Sequence, residues 1–337
     1  MRGVASAIQG PPTLRRAGVA CLLGVAAAAY VALFYQRQSA LAVSDFDAIW
    51  TAADALRRGH DPYGAVPSPP WPWKLQYPLP AVLVALPFSY LPLRLARGAF
   101  MGVSTALLAF GLTRRAWWPL ILLAGGQMFV ALQSVQWTPL FAAGVLLGPL
   151  RVLWAVKPTT GFPLFAAYPD RRAVIGGAVL LAAAFLVRPG WLGPWLAAAH
   201  EAPHRAAIFR VGGFLLLLGL LRWRLPEGRQ LAALAAVPLG PYLYEALPLM
   251  LVARNRRELL VLAACGTLGL VASAALPPAV GPDHGPARWA VLLLAGYLPA
   301  LVLTLRRPKA PLSRPAPLEP LPAGARDPGL ASRAAPA

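Results

Sequence analysis

From about Ala17 to Leu305 the chain is a succession of apolar runs of roughly 15–20 residues, each bounded by Arg, Pro or Gly. A bilayer hydrocarbon core about 30 Å thick takes about 20 helical residues to cross. Within lipid the backbone must satisfy its own hydrogen bonds, which leaves helices as the solution for apolar runs of this length. Composition agrees. The chain is 58% hydrophobic and only 13% charged, with a mean hydropathy of +0.58, against about 25% charged for an ordinary soluble domain. The expected fold class is all-α, a polytopic helical membrane protein.

The formal net charge of +19 raises the question of nucleic acid, and its arrangement argues against that partner. Basic residues fall in short breaks between apolar runs rather than on one dense face, which is the positive-inside pattern. Arg2, Arg15 and Arg16 precede the first run with no acid among them, so a segment 1–16 is expected in the cytoplasm. Ala40-Leu41-Ala42 looks like a signal-peptidase site, but a preceding run of about 18 residues exceeds the usual cleavable core, and an uncleaved first helix is expected. Placing the basic clusters within 222–229, 254–257 and 306–309 on the cytoplasmic side requires a hairpin over 229–253, a span over 258–276 and another over 289–305. Spans near 75–92, 98–113, 117–132, 137–150, 152–168, 173–188 and 206–221 complete a membrane domain over 17–305, with about 10–12 crossings in all. Residues 36–74 become the first outer loop. The tail, 306–337, holds eight prolines and six basic residues, a disordered composition, and is expected in the cytoplasm.

Cys21 and Cys265 lie inside apolar runs and read as small core residues rather than a disulfide. His200 and His204 are spaced to share a helix face, but Pro203 intervenes and no third ligand is near. No metal or cofactor is expected on these grounds.

The first outer loop concentrates charge. Asp45, Asp47, Asp54 and Asp61 are four of the twelve acidic residues in the chain, and ionisable groups beside a membrane raise a functional question. Ser44 followed by Asp47 has the form of a capping box. Phe46, Ile49, Trp50, Ala53 and Leu56 recur at helical spacing and Gly59 supplies a stop. A short amphipathic helix lying on the membrane surface, its apolar stripe facing the bilayer, is expected. A Pro/Trp-rich stretch follows, with rings suited to the interface or to stacking on sugars. Ordinary accounts stand beside any chemistry. Acids in a first turn oppose the helix dipole by about 0.3–1 kcal/mol, Asp54 reads as a surface charge, and Asp61 before Pro62 as a turn initiator.

The string SDFDAIWTAADALRRGHDPY over 44–63 resembles the first outer-loop signature of glycosyltransferase family 87, in which Asp-Phe precedes an AA-x-AL…G-x-DPY run. In the same order, QYPLP at Gln76–Pro80 resembles the family's Tyr-Pro-Pro, Gln136 its Gly-Gln, Ala155–Thr160 its Leu-Lys-Pro, and Tyr244-Glu245 its late Tyr-Asp. The sequence departs from the pattern at Leu79 for the second Pro, Val135 for Gly and Glu245 for Asp. It is also short for the family, particularly around 189–206.

The resemblance implies a bundle of the GT-C type with its active site at the outer face. The partners implied are a polyprenyl-phosphate sugar donor, a lipid or glycan acceptor, and membrane lipids. It implies Asp45 as the catalytic base of an inverting transfer. One carboxylate is enough, because a phosphate leaving group needs no partner acid. Lys157, Arg188, Arg205 and Arg210 are candidates to oppose the leaving phosphate, with headgroup contact or topology the ordinary reading of each. Tyr77, Gln136 and Glu245 are candidate substrate contacts, and Gln136 also suits a helix end. No DxD pair or GxxxxGK[ST] loop occurs, so a nucleotide-sugar donor held by a divalent ion is not expected. A transporter of lipid-linked sugars and a non-catalytic relative of the family are the alternatives.

Overall fold

The computed structural model describes residues 12–38, 42–66, 74–201, 204–276 and 285–308. The first eleven residues, the Pro/Trp-rich stretch 67–73 and the tail from 309 lie outside the described residues.

The described chain is mostly helical. In order it forms α1 (Thr13–Arg37), α2 (Asp45–Arg57), α3 (Leu79–Ala85), α4 (Leu93–Leu112), α5 (Gly126–Gln133), α6 (Thr138–Leu146), α7 (Pro158–Ala167), α8 (Arg171–Val187), α9 (Leu192–His200), α10 (Pro226–Ala236), α11 (Arg256–Ala274) and α12 (Pro286–Arg306). The connections include 3-10 segments, among them Gly148–Val156, Gly213–Arg222 and Leu243–Val252. Two dipeptide strands, β1 (Arg205–Ala206) and β2 (Pro238–Leu239), pair antiparallel.

Among the described residues four helices, α1, α4, α11 and α12, are long and apolar enough to cross a membrane, and α8 with α9 adds a fifth if that pair, bent by 109°, is one span. The remaining expected crossings are shorter pieces, and the sequence shows why. The run over 117–132 breaks at Gly125-Gly126 into a 3-10 segment, Trp118–Ala124, and α5. Gly126 packs so closely on Gly266 of α11 that a Cβ would collide with its carbonyl. The run over 152–168 breaks at Lys157-Pro158, where Pro begins α7 and disfavours a helical conformation at the residue before it.

α1 packs along α4 through small residues. Gly98 and Gly102 of α4 are four apart, and Gly24 and Ala28 of α1 face them; a Cβ on Gly102 would stand 2.9 Å from the Gly24 carbonyl. This is the small-xxx-small arrangement that lets helices approach where no hydrophobic effect drives them together. The opposite face of α1 exposes Leu22, Val25 and Leu33. Cys21 also lies exposed on α1, and both cysteines are free.

Helix α2 begins with the expected capping box: the Ser44 N–H donates to Asp47 Oδ2 at 2.7 Å. Its end is a Schellman motif, with the Gly59 N–H on the Leu56 carbonyl, the His60 N–H on that of Ala55, and Gly59 at φ +78°. The apolar stripe, however, faces protein rather than bilayer. Phe46, Ile49 and Ala53 are fully buried, Phe46 stacks on Phe100 of α4 at 4.6 Å, and the Trp50 indole donates to the Phe88 carbonyl at 3.1 Å. The stripe finds its apolar partner in α4 and the Leu86–Tyr90 segment.

Asp47, unlike a solvated first-turn acid, is fully buried. Arg97 of α4 grips it with two bonds, Nε to Oδ1 at 2.7 Å and Nη2 to Oδ2 at 2.5 Å, and the guanidinium lies over the Tyr35 ring of α1 at 4.0 Å. One buried pair thus ties α2 to both α1 and α4.

Candidate active site

Several of these helices begin at one cavity of about 270 Å³, slightly below the roughly 300–1,000 Å³ usual for small-molecule sites. Asp45 is the first residue of α2, Lys157 immediately precedes α7, and Tyr244 and Glu245 open the segment Leu243–Val252. All four line the cavity with Tyr77, Trp195 and Tyr242. The Trp195 indole donates to the Gln76 carbonyl at 3.0 Å, fastening α9 across the chain that carries Tyr77. The β1–β2 pairing brings His204, Pro238 and Gly240 to the same wall.

The polar groups form one connected network. The Lys157 ammonium donates to Glu245 Oε1 at 3.0 Å and to Gln136 Oε1 at 3.3 Å. Thr160 Oγ1 donates to Glu245 Oε2 at 3.0 Å. The Gln136 Nε2 donates to Asp45 Oδ2, and the Tyr244 hydroxyl approaches the same oxygen at 3.4 Å. Lys157 also sits 5.3 Å from the Tyr244 ring centroid.

Two carboxylates thus share one ammonium. Glu245 holds the direct ion pair, and Asp45 bears the cost of ionisation. Asp45 keeps an exposed surface, which opens to the cavity, while protein packs densely around its carboxylate. Desolvation raises its pKa above the ordinary 3.8, and Lys157 and the Gln136 bond offset that only in part. A carboxylate with raised pKa, open to a cavity and held by a neutral donor, has the attributes of a general base.

Five of the eight residues singled out in the sequence meet here: Asp45, Tyr77, Gln136, Lys157 and Glu245. Gln136 is fully buried behind the wall, its amide engaged by Asp45 and Lys157. Arg188 stands apart in an ion pair with Asp61 at 2.9 Å. Arg205 lies on β1, and Arg210 reaches the Leu239 carbonyl at 3.4 Å with its guanidinium 5.4 Å from the Trp289 ring. None of these three arginines lines the cavity. Tyr242, with its ring stacked on Tyr244 at 5.5 Å, and Trp195 went unread in the sequence. Nothing local distinguishes them from the other rings of an aromatic-rich chain. Among the described residues no three His, Cys, Asp or Glu side chains group as metal ligands.

Gln136 reaches this position through an unusual turn. Helix α5 ends in a second Schellman motif, with the Gln136 N–H on the Ala131 carbonyl at 3.0 Å and the Val135 N–H on that of Leu132 at 3.3 Å. The left-handed position that Gly59 fills in α2 is here filled by Val135, at φ +49°. A β-branched residue in that conformation is a true outlier, costing about 1–2 kcal/mol.

No family model, no curated protein and no solved structure matches the chain.

Proposed function

We propose that the protein is an inverting hexosyltransferase that moves a sugar, mannose being the first candidate, from a polyprenyl-phosphate donor to a lipid or glycan acceptor. One observation carries this reading: Asp45, Tyr77, Gln136, Lys157 and Glu245, spread over two hundred positions of sequence, converge on a single aromatic-lined cavity. These are the positions that the resemblance to glycosyltransferase family 87 singles out. The reading includes a GT-C-like bundle of about 10–12 crossings, both termini in the cytoplasm and the cavity opening to the outer face.

In the proposed reaction Asp45 takes the proton of the acceptor hydroxyl as that oxygen bonds to the anomeric carbon. The bond from that carbon to the phosphate oxygen breaks on the opposite side, and the polyprenyl phosphate departs with the bonding pair. Lys157 and the positive end of α7 beside it oppose the charge gathering on the phosphate. Tyr77, Trp195, Tyr242 and Tyr244 supply apolar faces for the sugar ring.

The test is incubation of the purified protein with labelled polyprenyl-phosphate sugars and membrane lipids, followed by identification of the product. Transfer by the wild type, with loss of transfer but retained donor binding in Asp45→Asn, is the expected result. The bend of 109° between α8 and α9 favours one second reading, transport of a lipid-linked sugar, since transporters build sites at broken helices. Movement of intact donor between leaflets, undiminished in Asp45→Asn and without a glycosylated product, would favour that reading.

A further inference from the structure

We infer that Gln136 is a positioning residue: the two ends of its amide hold the Asp45 carboxylate and the Lys157 ammonium in fixed register, and the left-handed turn at Val135 delivers it there. The direction of the amide follows from chemistry. An ammonium only donates and a carboxylate only accepts, so the Gln136 carbonyl must face Lys157 and its NH₂ must face Asp45, as the bonds show. Reversing the amide would break both. The side chain is fully buried, so no solvent competes for either end.

The turn supports the same conclusion. The Schellman motif at the end of α5 fixes the Gln136 backbone to Ala131, and Trp137, fully packed on Phe100 at 4.9 Å, fixes the next residue. The strained Val135 side chain is itself fully buried. Strained backbone persists where surrounding packing over-determines it, and it gathers at functional sites. The Gln136 side chain therefore enters the cavity wall from a backbone held on both sides, which suits a group that must hold two charged partners apart and in place.

The consequence concerns the protonation of Asp45. The groups facing its carboxylate are Gln136, Lys157, Glu245, Tyr77, Tyr242 and Tyr244, with Tyr35 further away. Gln136 and Tyr244 are the hydrogen-bond donors to it, and Gln136 makes the closer bond. Losing that bond destabilises the ionised form.

The kinetic part of this inference rests on the transferase reading, and its titration part does not. The experiment labels Asp45 with dicyclohexylcarbodiimide, which modifies the protonated acid, in full-length protein in lipid nanodiscs across a pH series, and quantifies the modified peptide by mass spectrometry. In Gln136→Met the labelling midpoint is expected to rise by about one pH unit. Gln136→Asn, which keeps a neutral amide one methylene too short to reach both partners, is expected to move it the same way and decides the matter if the Met variant does not fold. An unmoved midpoint in a folded variant overturns the inference. Where the wild type transfers sugar, the acid limb of kcat/KM is expected to move with the midpoint in Gln136→Met, and an unmoved limb also overturns it. A shifted midpoint in a protein that transfers no sugar from any donor upholds the positioning role and defeats the transferase reading instead.

Discussion

At the scale of single residues the site rests on Asp45 and on the turn at Val135. Folding raises the Asp45 pKa above its ordinary 3.8. Its stabilising contribution is therefore fully present below that value and is lost as pH rises through the folded value. Asp45→Asn removes the ionisation, so thermal melting in detergent at neutral pH should show the variant at least as stable as the wild type, with the pH dependence above 4 reduced. On the proposed transferase function, its transfer rate should fall by about 10²–10⁴-fold, the usual worth of a general base. A stable variant with undiminished transfer would remove Asp45 from the mechanism. At Val135 the ordinary order of substitutions should invert. Both Ala and Gly lose the buried side chain, but only Gly relieves φ +49°, so Val135→Gly should be more stable than Val135→Ala by about 1 kcal/mol. Comparing the two melting temperatures tests this directly. The departure at Val135 from the Gly-Gln pattern that the sequence otherwise resembles is legible in the sequence, but the strain it creates appears only once the end of α5 is known.

At the scale of elements the first loop shows how far local pattern reaches. Ser44, Asp47 and Gly59 mark the start and stop of α2 correctly, because capping depends on neighbours within a few residues. The 3.6-residue stripe correctly names the buried face. It could not name what covers that face, since lipid and the rings of α4 are both apolar. Arg97 is equally opaque in sequence, because its partner Asp47 lies fifty positions away. The Asp47–Arg97 pair should be costly to halve and cheap to replace. Asp47→Ala alone leaves a buried guanidinium unpaired and should cost about 3–5 kcal/mol, whereas Asp47→Leu combined with Arg97→Met should recover most of that loss. A double-mutant cycle on unfolding in detergent measures it. At the α1–α4 contact, Gly102→Val forces a branched side chain against the Gly24 carbonyl. It should destabilise by about 1–3 kcal/mol, while Gly18→Val, with open space at its Cβ, should leave the melting temperature unchanged.

At the scale of the whole molecule, charge asymmetry predicts an orientation that can be measured independently of catalysis. In a variant with Cys21 and Cys265 replaced by Ser, Gly64→Cys should react with a membrane-impermeant maleimide in intact cells, and Arg224→Cys only after the membrane is opened. The opposite pattern would invert the topology and place the cavity on the cytoplasmic side. The sequence by itself determined the class of the chain, a helical membrane protein, because apolar run length answers directly to bilayer thickness. It also determined the caps and stops of α2, which are local, and it named most of the polar groups that meet in the cavity. Tertiary structure alone decided which apolar runs break at Gly125-Gly126 and Lys157-Pro158, and that the α2 stripe packs on protein. It also decided that Asp45, Gln136, Lys157 and Glu245 form one network while Arg188, Arg205 and Arg210 stand aside. The physical reason is range. Helix period, capping and hydropathy are set by residues within a turn or two, whereas a cavity is made by side chains up to two hundred positions apart, whose meeting depends on how every intervening helix packs.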